Sequence, residues 1–138
     1  MNVLIFLILF CLLFIVINSA NILQQEVPLR STNGKYFAYL QGDGNFLLLS
    51  TGSWNGYGSD HAYWATHTVN RGTPPYHLRV QDDGHIILGD SNNGGAWTSG
   101  QFNVGIGPYC LVMQDDGNFV EYDTTNRVIW QSNTSGQK

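Results

Sequence analysis

Hydrophobic and polar positions along the chain alternate in three blocks that are variants of one another. In each block a tyrosine is followed by apolar residues at every second position: Tyr36, Ala38, Leu40; Tyr76, Leu78, Val80; Tyr109, Leu111, Met113. Period-two alternation of this kind predicts a strand with one buried face. Each block then meets one string, Gln41-Gly42-Asp43-Gly44-Asn45, Gln81-Asp82-Asp83-Gly84-His85 or Gln114-Asp115-Asp116-Gly117-Asn118, followed by a second apolar stretch (Phe46 to Leu49, Ile86 to Leu88, Phe119 to Tyr122). The reading is strand, turn, strand, with Gly supplying the positive φ of a tight hairpin. Each copy closes on a tryptophan, Trp64, Trp97 or Trp130. The spacing from Gln to Trp is 16 residues in the second and third copies and 23 in the first, so the first carries seven extra residues within Thr51 to Ala62. Further turns at Asn92-Asn93-Gly94 and Thr124-Thr125-Asn126 bring each copy to three or four short strands. With no helical periodicity and 16 glycines, the chain is predicted to be all-β. Three small sheets cannot bury their faces singly; stacked around a common axis they make one core, and Trp64, Trp97 and Trp130 are expected to fill that axis.

The N-terminus has a different pattern. Residues 1 to 20 carry no charged side chain, and Val3 to Ile17 is an unbroken apolar run of 15. A membrane span needs about 20 such residues. Fifteen, followed by the small polar exit Asn18-Ser19-Ala20, predicts a signal peptide over residues 1–20, cleaved near Ala20, and a domain over 21–138. The n-region lacks Lys or Arg, which departs from the usual pattern. The expected product is secreted and extracellular, with no membrane association after cleavage; the sequon Asn133-Thr134-Ser135 is compatible with that route. Because Cys11 falls in the leader, Cys110 is expected to stand alone in the mature chain as a buried strand residue, with no internal disulfide and with an intermolecular bridge as the alternative.

Composition narrows the function. Charged residues make up 12% of the chain against 43% hydrophobic, which excludes disorder, and the 118 residues after the leader suffice for one modest core. Net charge is −4, and Arg30, Lys35, Arg71, Arg79, Arg127 and Lys138 form no basic cluster, so nucleic acid is not an expected partner. His61, His67, His77 and His85 lack metal-ligand spacing, and Asp-Asp-Gly lacks the further oxygens and closing Glu of a calcium loop. The acidic pairs Asp82-Asp83 and Asp115-Asp116 lie on turns rather than facing each other across a cleft as glycosidase carboxylates do. No catalytic residue, cofactor or metal is expected.

Candidate chemistry lies in the third copy. Alternate residues read Gln114, Asp116, Asn118, Val120, Tyr122: four hydrogen-bonding side chains and one aliphatic, on one face wherever the segment is extended. An acceptor-only carboxylate, amides that donate and accept, a phenol that does both and a methyl surface together suit a vicinal polyol presented on a carbon ring. A plain turn string would explain one copy; recurrence in three, beside apolar residues of opposite parity, asks for more.

These residues match QxDxNxVxY, and the chain resembles the bulb-type (monocot mannose-binding) lectin family over most of its length after residue 20. The resemblance implies a β-prism II fold, three four-stranded antiparallel subdomains with pseudo-threefold symmetry, and calcium-independent binding of terminal mannose on glycans. It implies that Asp116 and Asn118 engage the axial 2-hydroxyl, Gln114 the 3-hydroxyl and Tyr122 the 4-hydroxyl, with Val120 against the ring carbons. The first copy keeps Gln41, Asp43 and Asn45 but has Leu47 for Val and Leu49 for Tyr, the pattern of a weaker sugar site. The second keeps Gln81 and Asp83 but has His85, Ile87 and Gly89, and is expected to be silent towards mannose. The resemblance further implies a homodimer that exchanges its C-terminal strand, here Asn126 to Ser132. The rival reading is a non-sugar protein-interaction module on the same scaffold.

Overall fold

The computed structural model describes residues 16–18, 22–51 and 61–137. The expected cleavage point near Ala20 and most of the longer first-repeat loop lie outside these residues. Among the described residues twelve short strands run β1 Val16–Asn18, β2 Ile22–Gln24, β3 Leu29–Arg30, β4 Tyr36–Leu40, β5 Phe46–Ser50, β6 Ala62–Ala65, β7 His77–Val80, β8 Ile86–Gly89, β9 Gly95–Thr98, β10 Cys110–Met113, β11 Phe119–Tyr122 and β12 Val128–Gln131. They form three antiparallel four-stranded sheets, β3-β4-β5-β6, β2-β7-β8-β9 and β1-β10-β11-β12, one per repeat. The all-β reading and the three hairpins hold. Each sheet's fourth strand comes from ahead of the first repeat, and β1, β2 and β3 serve the third, second and first sheets in that order.

The register is equivalent in all three. A bulge interrupts the pairing of the second and third strands of each repeat, between Leu48 and Leu49, Leu88 and Gly89, and Glu121 and Tyr122. Alternation then directs Ala38, Leu40, Phe46 and Leu48, with their equivalents in the other repeats, into one core. The three tryptophans meet at its centre as expected, edge to face, with ring centroids 5.9, 6.0 and 5.6 Å apart, the arrangement aromatic quadrupoles favour.

The repeats are also locked in a ring by a contact that the linear pattern does not announce. A Cβ added to Gly44 would stand 2.8 Å from the Tyr76 ring, one on Gly84 2.9 Å from Tyr109, and one on Gly117 2.9 Å from Tyr36. The tyrosine that opens each repeat thus packs on the turn glycine of the preceding one, and the first repeat closes the circle on the third. After its third strand each repeat also returns to its own turn: Asn70, Asn103 and Gly136 donate backbone N–H groups to the carbonyls of Asp43, Asp83 and Asp116 at 2.7, 2.8 and 2.8 Å.

Two observations concern the segment read as a leader. Val16–Asn18 pairs with β10, Ile17 opposite Leu111 and Asn18 opposite Cys110, and Ile17 is buried in the core. The expectation of a lone Cys110 is corrected: it is buried, as expected, but disulfide-bonded rather than free. The sequence's other cysteine, Cys11, lies outside the described residues. The reason for the miss is topological, because discarding residues 1–20 as a leader also discards the strand that lies along β10.

Candidate functional site

The site is built on the turn between β10 and β11. Asn118 and Gln114 close it, with Gln114 N–H donating to the Asn118 carbonyl at 3.0 Å and Gly117 N–H to that of Gln114 at 3.1 Å. Asp116 caps the turn from within, its Oδ1 accepting from Asn118 N–H at 2.9 Å. Asp43 and Asp83 do the same in their repeats, accepting from Asn45 and His85 at 3.0 Å. Oδ2 of Asp116 accepts from Ser135 Oγ at 3.2 Å, and the residue is exposed. One carboxylate therefore both shapes the turn and faces solvent.

Asn118 is 5% exposed. Its Oδ1 accepts from Ser132 Oγ and Thr134 N–H, both at 3.1 Å, and its Nδ2 donates to Gln131 Oε1 at 2.8 Å. This latches the segment after β12 to the turn and leaves one amide hydrogen uncommitted. Asn45 holds Thr68 N–H at 3.2 Å in the same way. The second repeat, which has His85, retains the bond shared by all three, Ile86 N–H to Ser99 Oγ at 3.2 Å, equivalent to Phe46 N–H to Thr66 Oγ1 and Phe119 N–H to Ser132 Oγ.

Register places Val120 opposite Val112 and Tyr122 opposite Cys110, on the face away from the core. The face expected from alternation thus exists through Asn118, Val120 and Tyr122, joined by Gln114, whose Nε2 donates to the Tyr122 phenol oxygen. Asp116 sits in the turn, where alternation no longer applies. Val120 is only 1% exposed, so its methyls are covered in this structure. In the first repeat the corresponding face is apolar. Leu47 and Leu49 pack with Phe37 in a buried cluster, and the Arg30 guanidinium stands 5.1 Å from the Phe37 ring centre. Gln41 and Asp43 are half-buried at its turn.

The second repeat is rebuilt rather than merely depleted. His77 lies opposite Gly89, with Nε2 2.8 Å from where a Gly89 Cβ would stand, so an imidazole leans over the position that carries Tyr122 in the third repeat. Burial holds the His77 pKa below its ordinary value, with the Arg79 charge the next cause. Sequence reasoning stopped at Gly89; the signal that could have found His77 is the parity His77, Arg79, Gln81, opposite to Leu78 and Val80. Another missed residue is Glu121, wholly buried on the core side of the site strand. A third is Asp115, which grips Thr32 Oγ1 at 2.7 Å and Asn33 N–H at 2.8 Å and so joins the third turn to the first repeat. The Asn33 N–H bond is the leading cause of its lowered pKa. Among the described residues no group of three or more His, Cys, Asp or Glu is placed to hold a metal ion.

No protein-family model matches the sequence. A lectin-named protein of Acanthamoeba polyphaga mimivirus is 33% identical over 79 residues, 57% of this chain and 36% of that protein, so the chain spans about a third of that relative's length. Among solved structures, a monomeric monocot mannose-binding lectin from Gastrodia elata superposes with a TM-score of 0.70 at 29% identity, covering 87% of this chain and 97% of that one. The chain is similar in fold to the monocot bulb-type lectins. The snowdrop (Galanthus nivalis) mannose-specific agglutinin, solved with methyl-α-D-mannoside, gives 0.65 at 25% identity over 86% and 95%. A Marasmius oreades lectin gives 0.73 at 23% identity over 89% and 93%, a likeness of fold. The three sheets form the β-prism II fold of those neighbours, which are carbohydrate-binding lectins.

Proposed function

We propose that this chain is a bulb-type lectin that binds terminal mannose on glycans without calcium, through Gln114, Asp116, Asn118, Val120 and Tyr122 of the third repeat. The observation that carries the reading is the shared outward face of Gln114, Asn118 and Tyr122 beside the exposed Asp116 carboxylate, in the one repeat that matches the motif at all five positions. It supplies an acceptor, a free amide hydrogen and a phenol where a sugar edge needs them. Burial of Val120 favours one alternative, a non-sugar interaction module, which would fold normally yet ignore mannosides.

The sites are expected to rank third, first, second. A neutral hydrogen bond is worth about 0.5–1.5 kcal/mol and each 1.4 kcal/mol is tenfold, so Leu49 in place of tyrosine weakens the first site by up to roughly tenfold. Titration calorimetry should find that Asp116→Ala removes most monovalent mannose binding, Asp43→Ala a little and Asp83→Ala almost none, with no effect of chelator. Full binding by a folded Asp116→Ala protein would sink the assignment.

The protein is further read as secreted, with residues 1–20 removed, and as a homodimer, because linking shallow sites raises avidity. The strand read as exchanging, β12, pairs within the chain with β11. A mature chain starting near Asn21 lacks β1. Terminal sequencing of secreted protein is expected to begin near Asn21. A terminus at Met1 would refute removal, and sedimentation as a monomer well above micromolar concentration would refute the dimer.

A further inference from the structure

The three repeats present outward faces of different chemistry. That of the first is an apolar cluster and that of the third carries Gln114 and Tyr122 beside the Asp116 carboxylate, but in the second β7 directs His77 and Arg79 outward, with Ile87 of β8 directly opposite Arg79. Ile87 holds the place that Val120 holds in the third repeat, and both are followed two positions later by the residue at the motif's tyrosine position. Arg79 is half-buried, its Nε is shut off from solvent with no hydrogen-bond partner, and no carboxylate stands within ion-pair reach among the described residues. His85 Nε2 is likewise buried and unpartnered, and its ring lies against the exposed Phe102 ring at 5.5 Å. The carboxylate of Asp83 is turned into its own loop, where it accepts from His85 N–H.

Arg79 thus carries a half-buried guanidinium charge with no carboxylate in reach among the described residues, and an anion is the group that offsets such a charge. An aliphatic side chain at the ring position and a retained Gln81 suit the rest of a sugar. We infer that the outward face of the second repeat is a separate site for an acidic monosaccharide, one bearing a carboxylate or a phosphate, with the acid group on Arg79, the ring over Ile87 and hydroxyls towards Gln81 and His77. This site does not depend on the mannose reading of the third repeat.

The test is titration of the full chain, followed by amide NMR, with D-glucuronic acid, mannose 6-phosphate, mannose and inorganic phosphate. It is run on the unaltered protein and on Arg79→Met, which keeps an apolar stem, with the near-ultraviolet tryptophan signal as the control for folding. An Asp116→Ala background removes the third-repeat contribution. In that background at least one acidic sugar is expected to shift the resonances of β7 and β8, and Arg79→Met is expected to weaken it about ten- to a hundredfold. On the Asp116-containing protein the same change should leave mannose binding unaltered. Whichever acidic sugar binds more tightly identifies the acid group. Failure of both to bind, equal binding by folded Arg79→Met, or inorganic phosphate binding as tightly as the sugar phosphate would each overturn the proposal. Loss of mannose binding with the acidic sugar retained would count against the third-repeat reading alone.

Discussion

Replacing Glu121 with leucine is expected to stabilise the protein by about 3 kcal/mol or more at pH 7 and to flatten its dependence on pH. Glu121 is 0% exposed, and neither carboxyl oxygen has a hydrogen-bond partner. It lies between Leu111 and Trp130 in the register where the first repeat has Leu48, between Ala38 and Trp64, and the second has Leu88, between Leu78 and Trp97. The fold has therefore been tested twice in this chain with leucine at the position. Burial, and secondarily the Asp83 charge, raises the Glu121 pKa from 4.5 to about 8. Folded protein thus binds a proton that unfolded protein releases above pH 4.5. Stability from this group is complete below pH 4.5 and is lost as pH climbs to 8, in total roughly 5 kcal/mol at 1.36 kcal/mol per unit. His77, whose pKa is lowered, acts with the opposite sign, losing stability as pH falls through its unfolded value, but it is common to both proteins. Urea unfolding at pH 5, 7 and 9 should show the gap between Glu121→Leu and the unaltered protein widening with pH; a constant gap would mean that the carboxyl is not desolvated as described.

Gly117→Ala is expected to cost about 3 kcal/mol, a fall in Tm of about 15 °C. Two penalties combine. Gly117 has φ +88°, where an L side chain is strained, and the new methyl would meet the Tyr36 ring at 2.9 Å and Gln137 Cβ at 3.2 Å. Tyr36 is fixed by its own bond to the Gln137 carbonyl and by edge-to-face contact with Tyr63 at 6.2 Å, so the ring has little room to yield. Gly34→Ala separates the two penalties: φ is +71° but nothing lies within 4 Å of the added carbon, so only the backbone cost of about 1 kcal/mol applies. Equal losses by thermal melting in the two variants would show that closure of the ring of repeats on Tyr36 has no energetic weight. A larger loss at Gly117 would make that closure a main source of the domain's stability.

Strand parity, hairpin turns, the threefold repeat and the tryptophan axis were legible in the sequence, because each is a local pattern written three times and a period of two residues assigns faces without knowledge of the partner. The polar set of the third repeat was legible for the same reason. Tertiary structure decided what local pattern cannot carry. The fourth strands of the second and third sheets come from segments distant in sequence, and with them came the pairing of Val16–Asn18 and the bonded state of Cys110. The opening tyrosines pack on glycines about 25 to 80 residues away, a contact set by the angle between sheets. His77 stands over Gly89 because cross-strand neighbours, not sequence neighbours, share a face. Glu121 reads as a solvated residue by type and becomes a core residue by register, since a strand's parity determines which side chains are buried whatever their charge.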